Sequence, residues 1–475
     1  MKPPSGAGVA AAVVALALAV ACSSSTPTAP AVGRSTTGST AAGTATTATT
    51  TAGTPATTAA PSGATADWPT YHGTNDRTGR ASGTSRPASL KQSWAATLDG
   101  AVYGQPLAVA GSVIVATEND TVYAFAPTGG PARWRIHLAS PVPTSALQCG
   151  NINPLGITGT PAYDATTGSV FVVTESTGGV HDLVALDALT GALRWSRNLD
   201  VGGHDRLAEQ ERGALAVANG RVYVPFGGLF GDCGDYVGYV TAVATDGSGA
   251  VAHYAVPTRR EGGIWAASGP AIGSDGTVYV AAGNGAAESG SYDGSDAVIH
   301  LSADLSSRLD FFAPTDWAAE NASDRDLGST GPLLLAGGLA VIAGKAGTVY
   351  LLHSAGLGGI GGQVASLHGC TGFGGMASDQ GAVFVPCEEG LERIDVTSTS
   401  LKAGWRVDAT GSPVVGGGAV WALDSGGTLF AFDETTGATL ARVKAGDTTR
   451  FASPVLAGDR VFVGTEQGLV AVAIN

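Results

Sequence analysis

Oxygen-bearing side chains recur at one kind of place in this chain. At or beside the end of a short apolar run stand Glu118, Glu175, Asn284, Glu388, Asp424 and Glu466, with Lys345 as the one cation of the series. Carboxylates and amides gathered on one rim could hold a hard cation through oxygen or line a polar funnel; such residues also populate exposed turns for purely local reasons. Asp324 and Asp326 lie ahead of Lys345, and Trp265 precedes Asn284 in GGIWAASGPAIGSDGTVYVAAGNG. The chemistry within reach is proton acceptance by a carboxylate beside a cation acting as Lewis acid. His181, in ESTGGVHDLVALD near Glu175, reads as a turn histidine with a local hydrogen bond. No Gly-x-Ser-x-Gly elbow or His-Glu-x-x-His pair is present, and Gly344-Lys345 lacks the flanking residues of a phosphate loop.

The elements that must position these residues repeat. The clearest unit, TGSPVVGGGAVWALDSGGTLFAFDETTGATLARV, reads as strands over Ser412 to Val415, Ala419 to Leu423 and Thr428 to Phe432, then an Asp-x-x-Thr-Gly turn and a fourth strand. Its second-strand signature recurs from Gly111, Gly168, Gly220, Gly276, Gly338, Gly381, Gly418 and Asp459. That spacing, roughly 50 residues, is a propeller-blade period. The expected fold is all-β, a single eight-bladed propeller of four-stranded antiparallel blades. The last unit holds three strands, so LKQSWAATLDG near the start supplies its fourth and closes the ring. In the fourth blade Gly269-Pro270-Ala271 reads as the first strand and Thr277 to Ala281 as the second.

In such a blade the first strand starts and the second ends on one face of the disc. The cysteines obey this geometry: Cys370 opens a first strand and Cys387 ends the next, while Cys149 and Cys233 fall on the same rim in adjacent blades. The expected disulfides are Cys149 with Cys233 and Cys370 with Cys387, contributing about 2 to 4 kcal/mol each. Zinc is the rival use of these thiols, but no Cys-x-x-Cys or Cys/His spacing supports it.

The N-terminus, MKPPSGAGVAAAVVALALAVACSSS, has a basic start, an apolar run too short to span a bilayer, and a cysteine after small residues. Residues 1–21 are expected to be a signal peptide, Cys22 the lipidated mature N-terminus, 22–67 a Ser/Thr/Ala/Pro-rich disordered tether, and 68–475 the propeller. The expected location is extracytoplasmic, anchored to the cell membrane as a lipoprotein, in keeping with an even number of remaining cysteines. A net charge of −14 excludes a phosphate-neutralising surface, hence nucleic acid. The domain is expected to be a monomer.

Ala185-Leu186-Asp187-x-x-Thr190-Gly191-x-x-x-Trp195, echoed by Ala431-Phe432-Asp433-x-x-Thr436-Gly437, resembles the repeat of the pyrroloquinoline-quinone (PQQ) dehydrogenase-like propellers. DWPTYHGTNDRTGRAS from Asp67 is similar to that family's lead-in segment. The family also holds propellers without cofactor, such as lipoproteins that assist outer-membrane protein assembly. For a quinoprotein alcohol dehydrogenase the resemblance implies calcium held by Glu175 and Asn284, Asp326 as general base with Asp324 as substitute, and Lys345 on the quinone; Trp265, ahead of the fourth blade's first strand on the loop-rich face and unexplained by the repeat, is expected to be a further cofactor contact. A whole blade, Gly220 to Tyr254, separates Glu175 from Asn284, and the family's neighbouring-cysteine pair and a Cys-x-x-Cys-His haem site are missing. The sequence therefore favours a non-catalytic scaffold that binds a protein or small ligand on its loop-rich face. The alternative is a PQQ- and calcium-dependent alcohol or sugar dehydrogenase.

Overall fold

Inner strands of each repeat are apolar throughout, whereas outer strands alternate, and the fold gives the reason. In the computed structural model, which describes residues 67–475, Ser112–Thr117 and Thr121–Phe125 are buried at every position, while Trp134–His137 alternates half-buried and exposed. Both faces of an inner strand are covered by neighbouring sheets; only the outer strand meets water. The signal peptide 1–21, the lipidation site Cys22 and all of the 22–67 tether except Asp67 lie outside the described residues.

Eight sheets form the propeller. Blade 1 runs from Leu107–Val109 to Trp134–His137, blade 2 from Ala162–Asp164 to Leu193–Asn198, and blade 3 from Glu209–Gln210 and Ala216–Ala218 to Ala252–Ala255. Blade 4 runs from Ala271–Ile272 to Arg308–Ala313, blade 5 from Leu333–Leu335 to Ala365–His368, blade 6 from Ala377–Asp379 to Leu401–Val407, and blade 7 from Val414–Gly416 to Thr439–Lys444. Blade 8 joins Val455–Ala457, Arg460–Thr465 and Gly468–Ile474 to Leu90–Thr97, which pairs antiparallel from Leu90 opposite Ile474 to Thr97 opposite Gly468. The ring is thus closed by the two ends of the domain.

Three strand expectations need correction: in blade 7 the first strand is Val414–Gly416 rather than Ser412 to Val415. The first strand of blade 4 is Ala271–Ile272, not Gly269 to Ala271, because Gly269 turns the chain at φ +63° with its N–H bonded to Ala266; the second is Val278–Ala282, one residue later than read. Cys370 does not open a strand, since blade 6 begins at Ala377, and the segment between them makes single bridges from Gly372 to Cys387 and from Gly374 to Thr330.

Successive blades are latched by the repeat's own residues. The indole of Trp134 lies where a Cβ on Gly191 would be, and Trp195 stands likewise against Gly247, Trp405 against Gly437 and Trp94 against Gly129. The turn glycine, preceded by threonine at Gly129, Gly191 and Gly437 and by Asp246 at Gly247, therefore serves the tryptophan of the preceding blade as well as the turn. Trp134, Trp405 and Trp94 each donate Nε1–H to a backbone carbonyl of that neighbour, on Ala188, Glu434 and Pro127. A half-buried aromatic with its polar edge satisfied is a strong inter-sheet contact.

One face of the axis is closed by the segment Trp68–Ala81. It runs around the ends of the first strands, pairing with Ala108 of blade 1, Tyr163 of blade 2, Val217 of blade 3, Ile272 of blade 4, Leu334 of blade 5, Ser378 of blade 6 and Val415 of blade 7. His72 Nε2 reaches Ser453 at the approach to blade 8, at 3.1 Å. Arg77 is fully buried and donates to Thr70 Oγ1 and to the carbonyls of Tyr71, Leu215 and Pro270. Burial without an ion-pair partner lowers its pKa to about 10, and burial lowers that of His72 to about 3, so the imidazole stays neutral. Both residues have left-handed backbones, φ 59° at His72 and 68° at Arg77, a conformation that persists where surrounding bonds over-determine it.

Candidate functional site: the axial cavity

On the face opposite the cap, connections entering the first strands and loops leaving the second strands enclose a cavity of about 580 Å³. Its walls include Arg212, Trp265, Lys345, Phe373, Arg450 and Phe451, the loop Gly228–Asp232, and Asp324 with Asp326. A smaller void behind Arg212 and Phe451 ends at Tyr71 of the cap. The axis is therefore a pocket open at one end.

The residues singled out from the sequence separate into two groups. Asn284, Asp324, Asp326, Lys345 and Trp265 come together. The Lys345 ammonium donates to Asp324 Oδ1 at 2.8 Å and also pairs with Asp326 Oδ2. Asp326 Oδ1 accepts the Asn284 backbone N–H at 2.7 Å, and Asn284 Nδ2 donates to Asp324 at 3.1 Å. Lys345 Nζ lies 5.5 Å from the centre of the Trp265 ring. Burial disfavours the charged form of Lys345, but Asp326 and Asp324 outweigh it and raise its pKa; burial keeps Asp326 above the ordinary carboxylate range despite Lys345.

Glu175 does not join them. It is buried with His181 Nε2 at 3.5 Å, and His181 Nδ1 meets Asp200 at 2.9 Å. His181 is thus no turn residue: it lies inside the strand Val180–Asp187, completely buried, and Glu175 and Asp200 lift its pKa to about 10 against the cost of burial. Around this pair are Glu118, Asp120 and Glu211, also buried. Burial pushes Glu118 and Asp120 up to about 8 and raises Glu211 well above its ordinary value. Glu118 accepts from the Gly156 N–H and Thr158 Oγ1. The exposed-turn reading of the second-strand acids holds for Glu388 and Glu466 but not for Glu118 and Glu175.

Cys149–Cys233 and Cys370–Cys387 are both disulfides, with Cα separations of 6.1 and 5.1 Å. The first holds the cavity wall: Gly150 N–H bonds to the Phe230 carbonyl, and Phe230 stands 63% exposed at the mouth. Among the described residues, the one His/Cys/Asp/Glu group with metal-ligand spacing is Cys370, Cys387 and Glu392, and its sulfurs are already bonded to each other.

Arg212, Phe373 and Phe451 did not stand out in the sequence. Each lies four residues ahead of a first strand, beginning at Ala216, Ala377 and Val455. The equivalent residues are Tyr103, Thr158, Ala267, Ser329 and Thr410, and segments such as YGQPL, TGTPA, TGSPV and FASPV display the shared frame. The position is a repeat position, so its occupants around the axis were legible from the period alone.

The family model described as outer membrane protein assembly factor BamB matches residues 84–356 and 361–475. The chain belongs to that family. No curated protein matches this BamB-family chain. Among solved structures, the europium-containing methanol dehydrogenase is 16% identical over 86% of this chain and 98% of its own, with a TM-score of 0.68. The quinohemoprotein alcohol dehydrogenase of Pseudomonas putida HK5 is 17% identical over 86% and 80%, TM-score 0.67. BamB from Moraxella catarrhalis is 17% identical over 81% and 100%, TM-score 0.56. At these identities the likeness is one of fold: a PQQ-binding-like eight-bladed propeller, common to binding proteins and dehydrogenases.

Proposed function

We propose that this BamB-family propeller is a lipid-anchored extracytoplasmic scaffold that binds a small organic ligand in its axial cavity. One observation carries the reading: a cavity of about 580 Å³, sealed behind by the cap, walled by aromatic rings and by Arg212, Lys345 and Arg450. Its volume and its mix of apolar wall with few charged groups suit a small-molecule site. Two disulfides suit an oxidising compartment. A thermal-shift screen of organic acids and sugars against the full chain and Trp265→Ala tests this. Ligand-dependent stabilisation of the native chain, lost in the variant, supports it; no stabilisation by any compound class removes it.

A second reading, a PQQ-dependent dehydrogenase, is favoured by the convergence of Asn284, Asp326, Lys345 and Trp265. The quinone, a planar carboxylate-bearing group, suits walls of Trp265, Phe373 and Phe451 with three cations. When bound it supplies the electron-accepting chemistry. Calcium fits less well, because Lys345 already bridges the two aspartates and Glu175 is engaged by His181. Titration with PQQ, with and without calcium, followed by dye reduction over alcohols and sugars separates the two readings. Saturable quinone binding lost in Asn284→Ala and Lys345→Ala, with turnover, selects the enzyme.

A further inference from the structure

Of the two disulfides, one has a carboxylate against its sulfur. Glu392 Oε2 lies 3.9 Å from Cys387 Sγ, and Cys370 Sγ, Cys387 Sγ and a Glu392 oxygen all fall within 4.8 Å of one another. All three residues are buried, and the cysteines pack with Val341, Val349, Met376 and Val385. Cys149 and Cys233, half-buried at the cavity wall, have no such third group among the described residues. The S–S bond is also not the only tie between Cys370 and Cys387. Phe373 N–H donates to the Pro386 carbonyl at 3.0 Å, Glu388 N–H donates to that of Thr371 at 2.8 Å, and Gly372 bridges Cys387. Thr371 is held further by Glu389, which accepts from its N–H and its Oγ1. None of these bonds involves sulfur, and together they keep the two chains in register around Cα atoms 5.1 Å apart.

Two thiolates and a carboxylate at this spacing match a tetrahedral ion. Metal–sulfur bonds of about 2.3 Å and a metal–oxygen bond of about 2.0 Å separate sulfur from oxygen by roughly 3.5 Å and the sulfurs by roughly 3.8 Å. The first separation is close to that between Cys387 and Glu392, and rotation about the Cα–Cβ bonds of the opened cysteines supplies the second. Charge also closes. Two thiolates, one carboxylate and a divalent ion sum to one negative charge, and Arg406, opposite Glu392 in the neighbouring strand, donates to the same Oε2 at 2.6 Å. A buried ionic group is tolerated when it is neutralised in this way.

We propose that Cys370 and Cys387 in their reduced form, together with Glu392, bind one thiophilic divalent cation of the zinc type. A chain bound for an oxidising compartment is made with its thiols reduced; the ion ties the entry of blade 6 until a disulfide oxidant takes two electrons from the thiolates, becomes two thiols itself and releases the ion. Cobalt(II) titration of the full chain, oxidised and after reduction by a phosphine, tests this through the thiolate-to-cobalt charge-transfer band. Reduction breaks the S–S bond, consumes one water and gives two thiols and the phosphine oxide; binding then exchanges both thiol protons for the ion. The reduced chain is expected to develop the band and the oxidised chain none. Cys370→Ser should abolish it and Cys149→Ser should leave it unchanged. Glu392→Gln, which keeps both thiols, should weaken cobalt binding at least about tenfold, since loss of an outer partner of a metal ligand alone costs that much. No band in the reduced chain, or a band kept in Cys370→Ser, overturns the site. Equal affinity in Glu392→Gln overturns the three-ligand arrangement, and this variant decides alone where Cys370→Ser fails to fold. Loss of β-sheet circular dichroism on reduction, not restored by cobalt, overturns the backbone-held geometry and the site with it.

Discussion

The two faces of the propeller solve opposite problems with the same residue types. At the cap, Arg77 and His72 are buried and their polar atoms are met by backbone carbonyls and Ser453. At the open face, Arg212 and Arg450 meet aromatic rings, and Glu118, Asp120 and Glu175 keep buried oxygens without a protein hydrogen-bond partner, as the cap does only at Tyr71 Oη and Asn75 Oδ1. Satisfied buried polar groups fix a structure, whereas unsatisfied ones mark where something else is expected to bind. The difference teaches that charge type alone does not identify a site; completion of its hydrogen bonds does.

Deletion is the severest way to break the comparison. Removing Asp67–Ala81 should abolish cooperative thermal unfolding, because the segment bonds to seven blades and to the approach to the eighth, and removing Leu90–Thr97 should do the same by opening blade 8. A deletion variant that melts like the native chain by circular dichroism refutes the closure. Next in size, Arg77→Ala should cost about 2–5 kcal/mol in denaturant midpoint analysis, through lost packing and several orphaned acceptors. Arg212→Gln at the open face should cost far less, since it surrenders no hydrogen bond. Equal losses for the two arginines contradict the contrast between the faces.

Replacing Cys149 and Cys233 by serine should lower stability by about 2–4 kcal/mol and raise hydrogen exchange first in Leu229–Asp232, the wall that the bond holds. Protection lost first at the cap would reverse the assignment.

The pH responses of the two faces should have opposite signs. Glu118 and Asp120, with folded values near 8 against ordinary values of 4.5 and 3.8, favour the fold while protonated. Their contribution is present below the ordinary value and lost as pH rises through about 8, where their charges face Glu175, Glu211, Arg212 and His181. His72, near 3 against 6.5, instead weakens the fold as pH falls from 6.5 towards 3. Rate-corrected hydrogen exchange should show residues 118–120 loosening between pH 6 and 9 and the cap loosening between pH 6 and 4. The same sign at both faces would break the pairing.

The smallest expected effect concerns Lys345. Lys345→Met frees Asp324, Asp326 and the unpartnered Asn284 Oδ1. Millimolar calcium should then raise the melting temperature by roughly 1–3 °C in the variant and not in the native chain, by ligand linkage. Equal calcium shifts in both would show that the native ammonium does not stand in a cation's place.

The blade count, ring closure and inter-blade tryptophans follow from local facts: glycine and Asp-x-x-Thr-Gly turns force hairpins, and apolar runs need cover on both faces. The period likewise placed Trp265, Asn284 and Lys345 on one rim. It did not tell Glu175 from Asn284, because second-strand ends look alike in sequence while their partners arrive from other blades. His181 and Asp200 claim the first; Asp324 and Asp326, from the insert before blade 5, claim the second. Nor did it reveal the cap as a plug, since Arg77 reads as a loop charge until Leu215 and Pro270 are seen around it. Sequence by itself determined the repeat, because strands and turns depend on neighbours along the chain. Tertiary structure alone decided which charges are satisfied and which are left open, because that depends on groups brought together from distant blades.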